Sequence, residues 1–126
     1  MEVIEQINEF HNDRYSGYEI KTNTRTITAA IANYQSCCES WGYLMSQDDF
    51  SEFIGRKLIG VKVVDDKLQV YPFEQSHDQE DLTAMFVNFE TDNGTLQFVA
   101  YNSHNGYYGH EVFLKSDDEI LAKDVL

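Results

Sequence analysis

The stretch TAMFVNFETDNGTLQFVAYNSHNGYYGHEVFLK, residues 83–115, predicts the β-sheet at the centre of the fold. Two alternating strands meet at Asn93-Gly94, and a glycine- and tyrosine-rich turn then leads into a third strand. Asn-Gly accepts positive φ at both central positions, which the type I′ hairpin turn requires. This turn places Phe89 opposite Phe98, so that one face of the hairpin is mostly apolar and the other is mixed.

The segments on either side of this meander predict three helices. Residues 2–13, EVIEQINEFHND, carry apolar side chains at helical spacing. The sequence SQDD opens a short middle helix over residues 48–54, which Gly55 ends in the left-handed conformation. Residues 116–119, SDDE, have the spacing of a capping box and predict a short C-terminal helix.

The segments between the helices predict further strands. Residues 25–34, RTITAAIANY, are rich in β-branched residues, and residues 58–71 predict a second hairpin that ends at Pro72. Residues 73–82, FEQSHDQEDL, lack periodicity and predict an acidic loop. The order of these elements indicates one α+β domain over residues 1–126, built on a mostly antiparallel sheet.

The charge limits the partners that the protein can bind. The chain has 9 Lys and Arg against 22 Asp and Glu, a formal net charge of -13. Direct binding to nucleic acid or to an anionic membrane is disfavoured, because phosphate groups require a basic surface. No Lys or Arg lies between Lys67 and Lys115, whereas seven acids do. This sector serves solubility or docks a basic partner.

The cysteines indicate a reducing compartment. Cys37 and Cys38 are adjacent, so a disulfide between them would be strained and would close almost no loop. Their spacing is also unsuited to zinc, and we expect no metal or other cofactor. The sequence shows neither an apolar run of membrane-spanning length nor a signal peptide at its N-terminus. We therefore expect a cytoplasmic protein.

The turn SHNGYYGH, residues 103–110, is the most unusual run of the chain. Its tyrosines cover the edge of the core in one interpretation. In the other, Tyr107 and Tyr108 are contact anchors of a recognition loop and His104 is a polar contact. The sequence leaves both interpretations open.

Two separated stretches resemble a family of small uncharacterised domains that bacteria and their phages encode. They are YQSCCESWGYLMSQDDFSEFIGRKLIGVKV and FVNFETDNGTLQFVAYNSHNGYY, and the resemblance covers roughly residues 25–115. The elements that correspond to the family are Cys37, Cys38, Glu39, Gly55, Asn105, Gly106, Tyr107 and Tyr108. The resemblance implies origin and fold more than chemistry.

The leading hypothesis is a phage-borne, non-enzymatic inhibitor of a host nucleic-acid-processing defence enzyme, similar to an anti-CRISPR protein. Its carboxylates would occupy the basic surface of that enzyme. The expected contacts are Asp78, Glu80, Asp81, Glu90, Asp92, His104, Tyr107 and Tyr108.

Two alternatives belong to other functional classes. The first is a domain that sequesters a small molecule or nucleotide, using the Tyr107/Tyr108 turn as a stacking site beside a defined pocket. The second is an enzyme that uses Cys37 or Cys38 with a histidine, although the chain carries no known nucleophile motif. The sequence leaves the oligomeric state, including a homodimer, open.

Overall fold

The structure is a computed structural model that describes residues 1–34, 40–73, 82–103 and 109–126. The elements in these ranges are nine β-strands, so the predicted α+β class with three helices is wrong. The strands are β1 (Ile4–His11), β2 (Tyr15–Thr22), β3 (Thr26–Ala32), β4 (Ser40–Met45), β5 (Leu58–Val64), β6 (Leu82–Thr91), β7 (Gly94–Ser103), β8 (Glu111–Ser116) and β9 (Glu119–Val125). In the described residues, no helix is long and apolar enough to span a membrane.

The strands form two antiparallel sheets that share one core. The five-stranded sheet has the order β1-β2-β3-β8-β9, and the four-stranded sheet has the order β4-β7-β6-β5. Ile20, Ile31 and Leu114 of the first sheet pack in the same cluster as Phe89 and Phe98 of the second. The two sheets therefore pack face to face as a β-sandwich.

The predicted N-terminal helix is strand β1, and a β-bulge explains the misleading pattern. The register against β2 shifts between Ile4 and Gln6, so Glu5 is an extra residue on β1. Side chains normally alternate along a strand, but one extra residue reverses that alternation. Ile4 and Ile7 consequently both face the core although they are three residues apart. Core-facing residues three positions apart are also typical of an α-helix, so the sequence pattern predicts a helix here.

Glu2 fixes the start of β1 to the turn between β2 and β3. Its carboxylate accepts hydrogen bonds from Arg25 Nε at 2.7 Å and Arg25 Nη2 at 3.0 Å. The hydroxyls of Thr22 and Thr24 donate to it at 2.8 and 2.9 Å. The Arg25 guanidinium is the main cause that lowers the pKa of Glu2 to about 2. The two-point contact with Arg25 is geometrically specific, so it holds β1 in place.

The middle and C-terminal helices are also absent from the described structure. Residues 51–55 form turns, although Gly55 has the predicted left-handed backbone, with φ 85°. At the other site, Asp117 has φ 51° and lies in the turn that joins β8 to β9. Its carboxylate accepts a hydrogen bond from the Thr26 amide at 3.0 Å. The residues that resemble a capping box therefore make a hairpin turn, for which Asp is also well suited.

The central hairpin β6–β7 has the predicted faces but a different register. Thr91 pairs with Gly94 and Phe89 pairs with Leu96, two residues away from the predicted partner Phe98. The turn is not type I′, because Gly94 has φ 101° whereas Asn93 does not have positive φ. A shift of two residues leaves every side chain on its original face. The predicted apolar face is therefore confirmed as part of the core.

Residues 66–73 cover the outer face of the four-stranded sheet instead of forming the return strand of a second hairpin. Gln97, which is fully buried, accepts hydrogen bonds from Tyr71 Oη at 2.5 Å and from the Leu68 amide at 3.1 Å. Its amide nitrogen donates to the Asp66 carbonyl at 3.0 Å. This segment therefore replaces water on that face. Most of the predicted acidic loop, residues 74–81, lies outside the described residues.

Gly17 allows β2 and β3 to approach closely, and this contact gives a stability prediction. A Cβ at Gly17 would lie 2.0 Å from the Ala29 carbonyl oxygen and 2.6 Å from Ala30 Cα. Because both are backbone atoms, they cannot move aside as a side chain can. We expect Gly17→Ala to lower the free energy of unfolding by about 2 kcal/mol or more, as at overpacked sites. Urea denaturation measures this change.

The matched control is Gly60→Ala on β5. A Cβ there would meet only Glu90 Oε1, at 3.5 Å, which is an ordinary contact. The variant should be neutral or slightly more stable, because alanine reduces the entropy of the unfolded chain. Equal destabilisation by the two substitutions would contradict the role assigned to Gly17.

Candidate functional site

The outer face of the five-stranded sheet carries the candidate site. One row of paired residues crosses all five strands, in the order Phe10, Gly17, Ala30, Phe113 and Lys123. Gly17 and Ala30 have the smallest side chains of this row, and the aromatic residues Phe10 and Phe113 flank them. Gly17 and Ala30 are buried, and the accessible part of this face is a groove of two adjoining cavities that neither residue lines.

The first part of the groove, here called the Tyr34 cavity, has a volume of about 480 Å³. This is within the range of roughly 300–1,000 Å³ that is usual for small-molecule sites. Its lining combines aromatic, apolar and charged residues. They are Asp13, Arg14, Tyr15, Ala32, Asn33, Tyr34, Gly109, Glu111 and Val125.

The second part, here called the Lys115 cavity, has a volume of about 320 Å³. Its lining residues come from β1, β2, β8, β9 and the turn after β1. They are Phe10, Asn12, Tyr15, Glu111, Phe113, Lys115, Ile120 and Lys123. Tyr15 and Glu111 line both cavities. The two cavities are therefore neighbouring parts of one groove.

Tyr15 and Glu111 are held between the cavities by hydrogen bonds and ring packing. Tyr15 Oη donates to Glu111 Oε2 at 3.2 Å, and Lys123 Nζ lies 2.7 Å from Glu111 Oε1. The Tyr15 ring meets Phe113 edge-to-face, with the ring centroids 4.9 Å apart. The hydrogen bond from Lys123 lowers the pKa of Glu111, whereas burial and the Glu111 charge raise the pKa of Tyr15.

Tyr34 presents an aromatic surface to its cavity. Its ring stacks on the imidazole of His110, with a centroid distance of 4.3 Å and an interplanar angle of 14°. Its hydroxyl donates to the carbonyl of Gly109. His110 is fully buried and also stacks with Trp41. Tyr34 is 50% exposed although one face of its ring packs on His110, so part of the side chain can contact a ligand.

Arg14 is positioned by the turn between β1 and β2. Asn12 Oδ1 accepts hydrogen bonds from the amides of Arg14 at 2.9 Å and Tyr15 at 2.8 Å, which fixes the turn. Within the described ranges, the Arg14 guanidinium makes no hydrogen bond or ion pair with another residue. It is therefore available to an anionic ligand.

The charge of the groove differs in sign from that of the whole chain. Three of the nine Lys and Arg residues line it, and two carboxylates oppose them. The cations are Arg14, Lys115 and Lys123, and the carboxylates are Asp13 and Glu111. The two cavities differ in charge: one cation and two carboxylates line the Tyr34 cavity, whereas two lysines and one carboxylate line the Lys115 cavity.

The contact residues that the sequence predicts are not in this groove as far as the structure describes them. Glu90 lies on β6 with Lys62 Nζ 3.0 Å away, and Asp92 Oδ1 accepts a hydrogen bond from the Lys57 amide at 3.2 Å. The other predicted contacts lie outside the described residues, and so do Cys37 and Cys38. These contacts are Asp78, Glu80, Asp81, His104, Tyr107 and Tyr108. In sequence, Tyr107 and Tyr108 directly precede Gly109, which lines the Tyr34 cavity.

A serine–histidine pair elsewhere in the sandwich has a structural role. His11 Nδ1 lies 2.6 Å from Ser16 Oγ, and Asn33 Nδ2 donates to the same oxygen at 3.1 Å. Ser16 is only 4% exposed, as is usual for a side chain that holds strands together. Among the residues that the structure describes, there is also no group of three or more His, Cys, Asp or Glu side chains suited to a metal ion.

The chain belongs to a family whose description is "Domain of unknown function (DUF7448)", and the family model matches residues 2–114. This agrees with the resemblance to an uncharacterised domain family. No match was found among curated proteins, and none was found among solved structures.

The contact between Lys123 and Glu111 gives a prediction about the charge of the groove. We expect Lys123→Gln to raise the pKa of Glu111 towards its ordinary value, because the carboxylate loses the charged hydrogen bond that stabilises it. NMR titration of the side-chain carboxyl measures this change. Lys115→Gln removes a charge from the same groove without removing that bond. A Glu111 pKa that responds equally to both variants would contradict the specific pairing.

Proposed function

We propose that this domain binds and sequesters a small planar ligand that carries one anionic group, without chemically changing it. The observation that supports this most is the pairing, in one cavity, of the open Tyr34 ring with the unengaged Arg14 guanidinium. The sequence predicts the same class of function in the alternative with a Tyr107/Tyr108 stacking site. Here the contacts with the ligand are assigned to the groove instead.

A planar ligand suits the aromatic surface of Tyr34. The ring is held by the stack on His110 and by the hydrogen bond to Gly109, so little freedom is lost when a second ring packs on it. Stacking of a nucleobase on an aromatic side chain contributes about 1–3 kcal/mol. A heterocyclic base is therefore the part of the ligand that we assign to Tyr34.

A single anionic group of the ligand can pair with the one cation of the Tyr34 cavity. Arg14 is the one cation among its lining residues, and a guanidinium can donate two parallel hydrogen bonds to a phosphate or carboxylate. Asp13 and Glu111 line the same cavity and would repel a polyphosphate. A nucleoside monophosphate meets both requirements better than a triphosphate does.

The protonation states in the groove favour binding over catalysis. The raised pKa of Tyr15 keeps its hydroxyl protonated at neutral pH, and the lowered pKa of Glu111 keeps its carboxylate charged. General acid–base catalysis works best with a group whose pKa lies near the working pH. Tyr15 and Glu111 are shifted away from that value.

A second candidate is the phage-encoded, anti-CRISPR-like inhibitor that docks on a basic host enzyme in the cytoplasm. The net charge of -13 supports it, since opposite charges accelerate docking and the contact weakens with salt. Glu90 would first have to exchange its ion pair with Lys62, whose side chain is 60% exposed while that of Glu90 is 36% exposed. Such an exposed pair costs little to break.

The test of the proposed function compares AMP, adenosine and ATP as ligands in calorimetric titrations. AMP should bind more tightly than adenosine, which lacks the anion, and more tightly than ATP. Arg14→Gln should weaken AMP binding about tenfold, which corresponds to loss of one charge-assisted hydrogen bond. The affinity for adenosine should not change.

The matched control is Arg56→Gln, which makes the same charge change on an exposed turn outside the groove. It should leave AMP binding unaltered. If none of the three ligands binds, and the protein captures a basic nuclease in a salt-sensitive way, the inhibitor function would be favoured instead.

A further inference from the structure

We infer that the whole groove takes a dinucleotide, that is, two bases joined through a phosphodiester, with one base in each cavity. This inference rests on the proposed function, because it extends the ligand of the Tyr34 cavity into the Lys115 cavity. The two cavities share Tyr15 and Glu111, so a ligand that occupied both would lie against these two residues.

The Lys115 cavity offers its own surface for a second planar group. Phe10 on β1 and Ile120 on β9 line it from the two outer strands of the sheet, and Ile120 is 52% exposed. Within the described ranges, the Phe10 ring stacks on no other aromatic ring. Phe113 is 8% exposed and already contacts Tyr15, so Phe10 is the aromatic surface available to a ligand.

Lys115 supplies a charge that Lys123 does not. Lys123 is paired with Glu111 at 2.7 Å, whereas Lys115 Nζ lies 5.7 Å from the centroid of the Phe113 ring. In the part of the chain that the structure describes, Lys115 makes no ion pair with a carboxylate. It can therefore meet an anion in the Lys115 cavity without first breaking a salt bridge.

The charges also limit the length of the ligand. The groove carries three cations and two carboxylates, which suits one or two phosphates. A longer polyanion would leave the groove and meet a molecule whose net charge is -13. The repulsion would grow with every further phosphate. A short ligand with two bases therefore fits the groove better than single-stranded nucleic acid does.

The experiment measures the affinity of the full chain for AMP, for the linear dinucleotide ApA and for cyclic di-AMP by calorimetry. At least one dinucleotide should bind tenfold or more tightly than AMP, since linking two groups makes the second contact intramolecular. Lys115→Gln should weaken that dinucleotide about tenfold. It should leave AMP unchanged. The comparison of ApA with cyclic di-AMP shows whether the groove prefers a linear or a cyclic linkage.

Lys57→Gln is the control, because it removes one exposed lysine outside the groove. If AMP binds but neither dinucleotide binds more tightly, or if Lys115→Gln and Lys57→Gln weaken the dinucleotide equally, the two-base inference is overturned while the proposed function remains. If AMP, ApA and cyclic di-AMP all fail to bind, both are overturned.

Discussion

The close backbone contact between β2 and β3 at Gly17 determines the shape of the five-stranded sheet. Gly17 pairs with Ala30, and neither residue has a side chain that rises far above the backbone. Phe10 and Phe113 occupy the positions on either side of this pair, and Ala30 is fully buried while Phe113 is only 8% exposed. A larger residue at Gly17 would force β2 and β3 apart. The stability of the sheet whose strands line the two cavities thus depends on this position.

The two sheets differ in what covers their outer faces. On the four-stranded sheet, residues 66–73 lie across the outer face and hydrogen-bond with the buried Gln97. On the five-stranded sheet, Thr28, Ala30 and Phe113 of the outer face are also buried, and the accessible part is the groove that Arg14 and Lys115 line. A strongly acidic protein that gathers part of its few cations around exposed aromatic rings has the features of a site for a small anion. The acidic residues of the rest of the chain repel longer polyanions.

The sequence predicts some of this fold, and the failures have physical reasons. The faces of the β6–β7 hairpin follow from alternation, which a register error of two residues does not disturb. The helical spacing of Ile4 and Ile7 comes from a bulge at Glu5, which no local pattern reveals. The groove could not be predicted, because its residues come from strands at opposite ends of the chain. Only the pairing of β3 with β8 brings Tyr15 and Glu111 together.

The most direct test of this account is an NMR map of the backbone amides of the full chain as AMP is added. The account predicts shift changes that saturate and that cluster on the outer face of the five-stranded sheet, at Arg14, Tyr15, Tyr34 and Glu111. Amides of the four-stranded sheet near Glu90 and Asp92 should remain unchanged. Shift changes that cluster around Glu90 and Asp92 instead, or no saturable change at any amide, would contradict it.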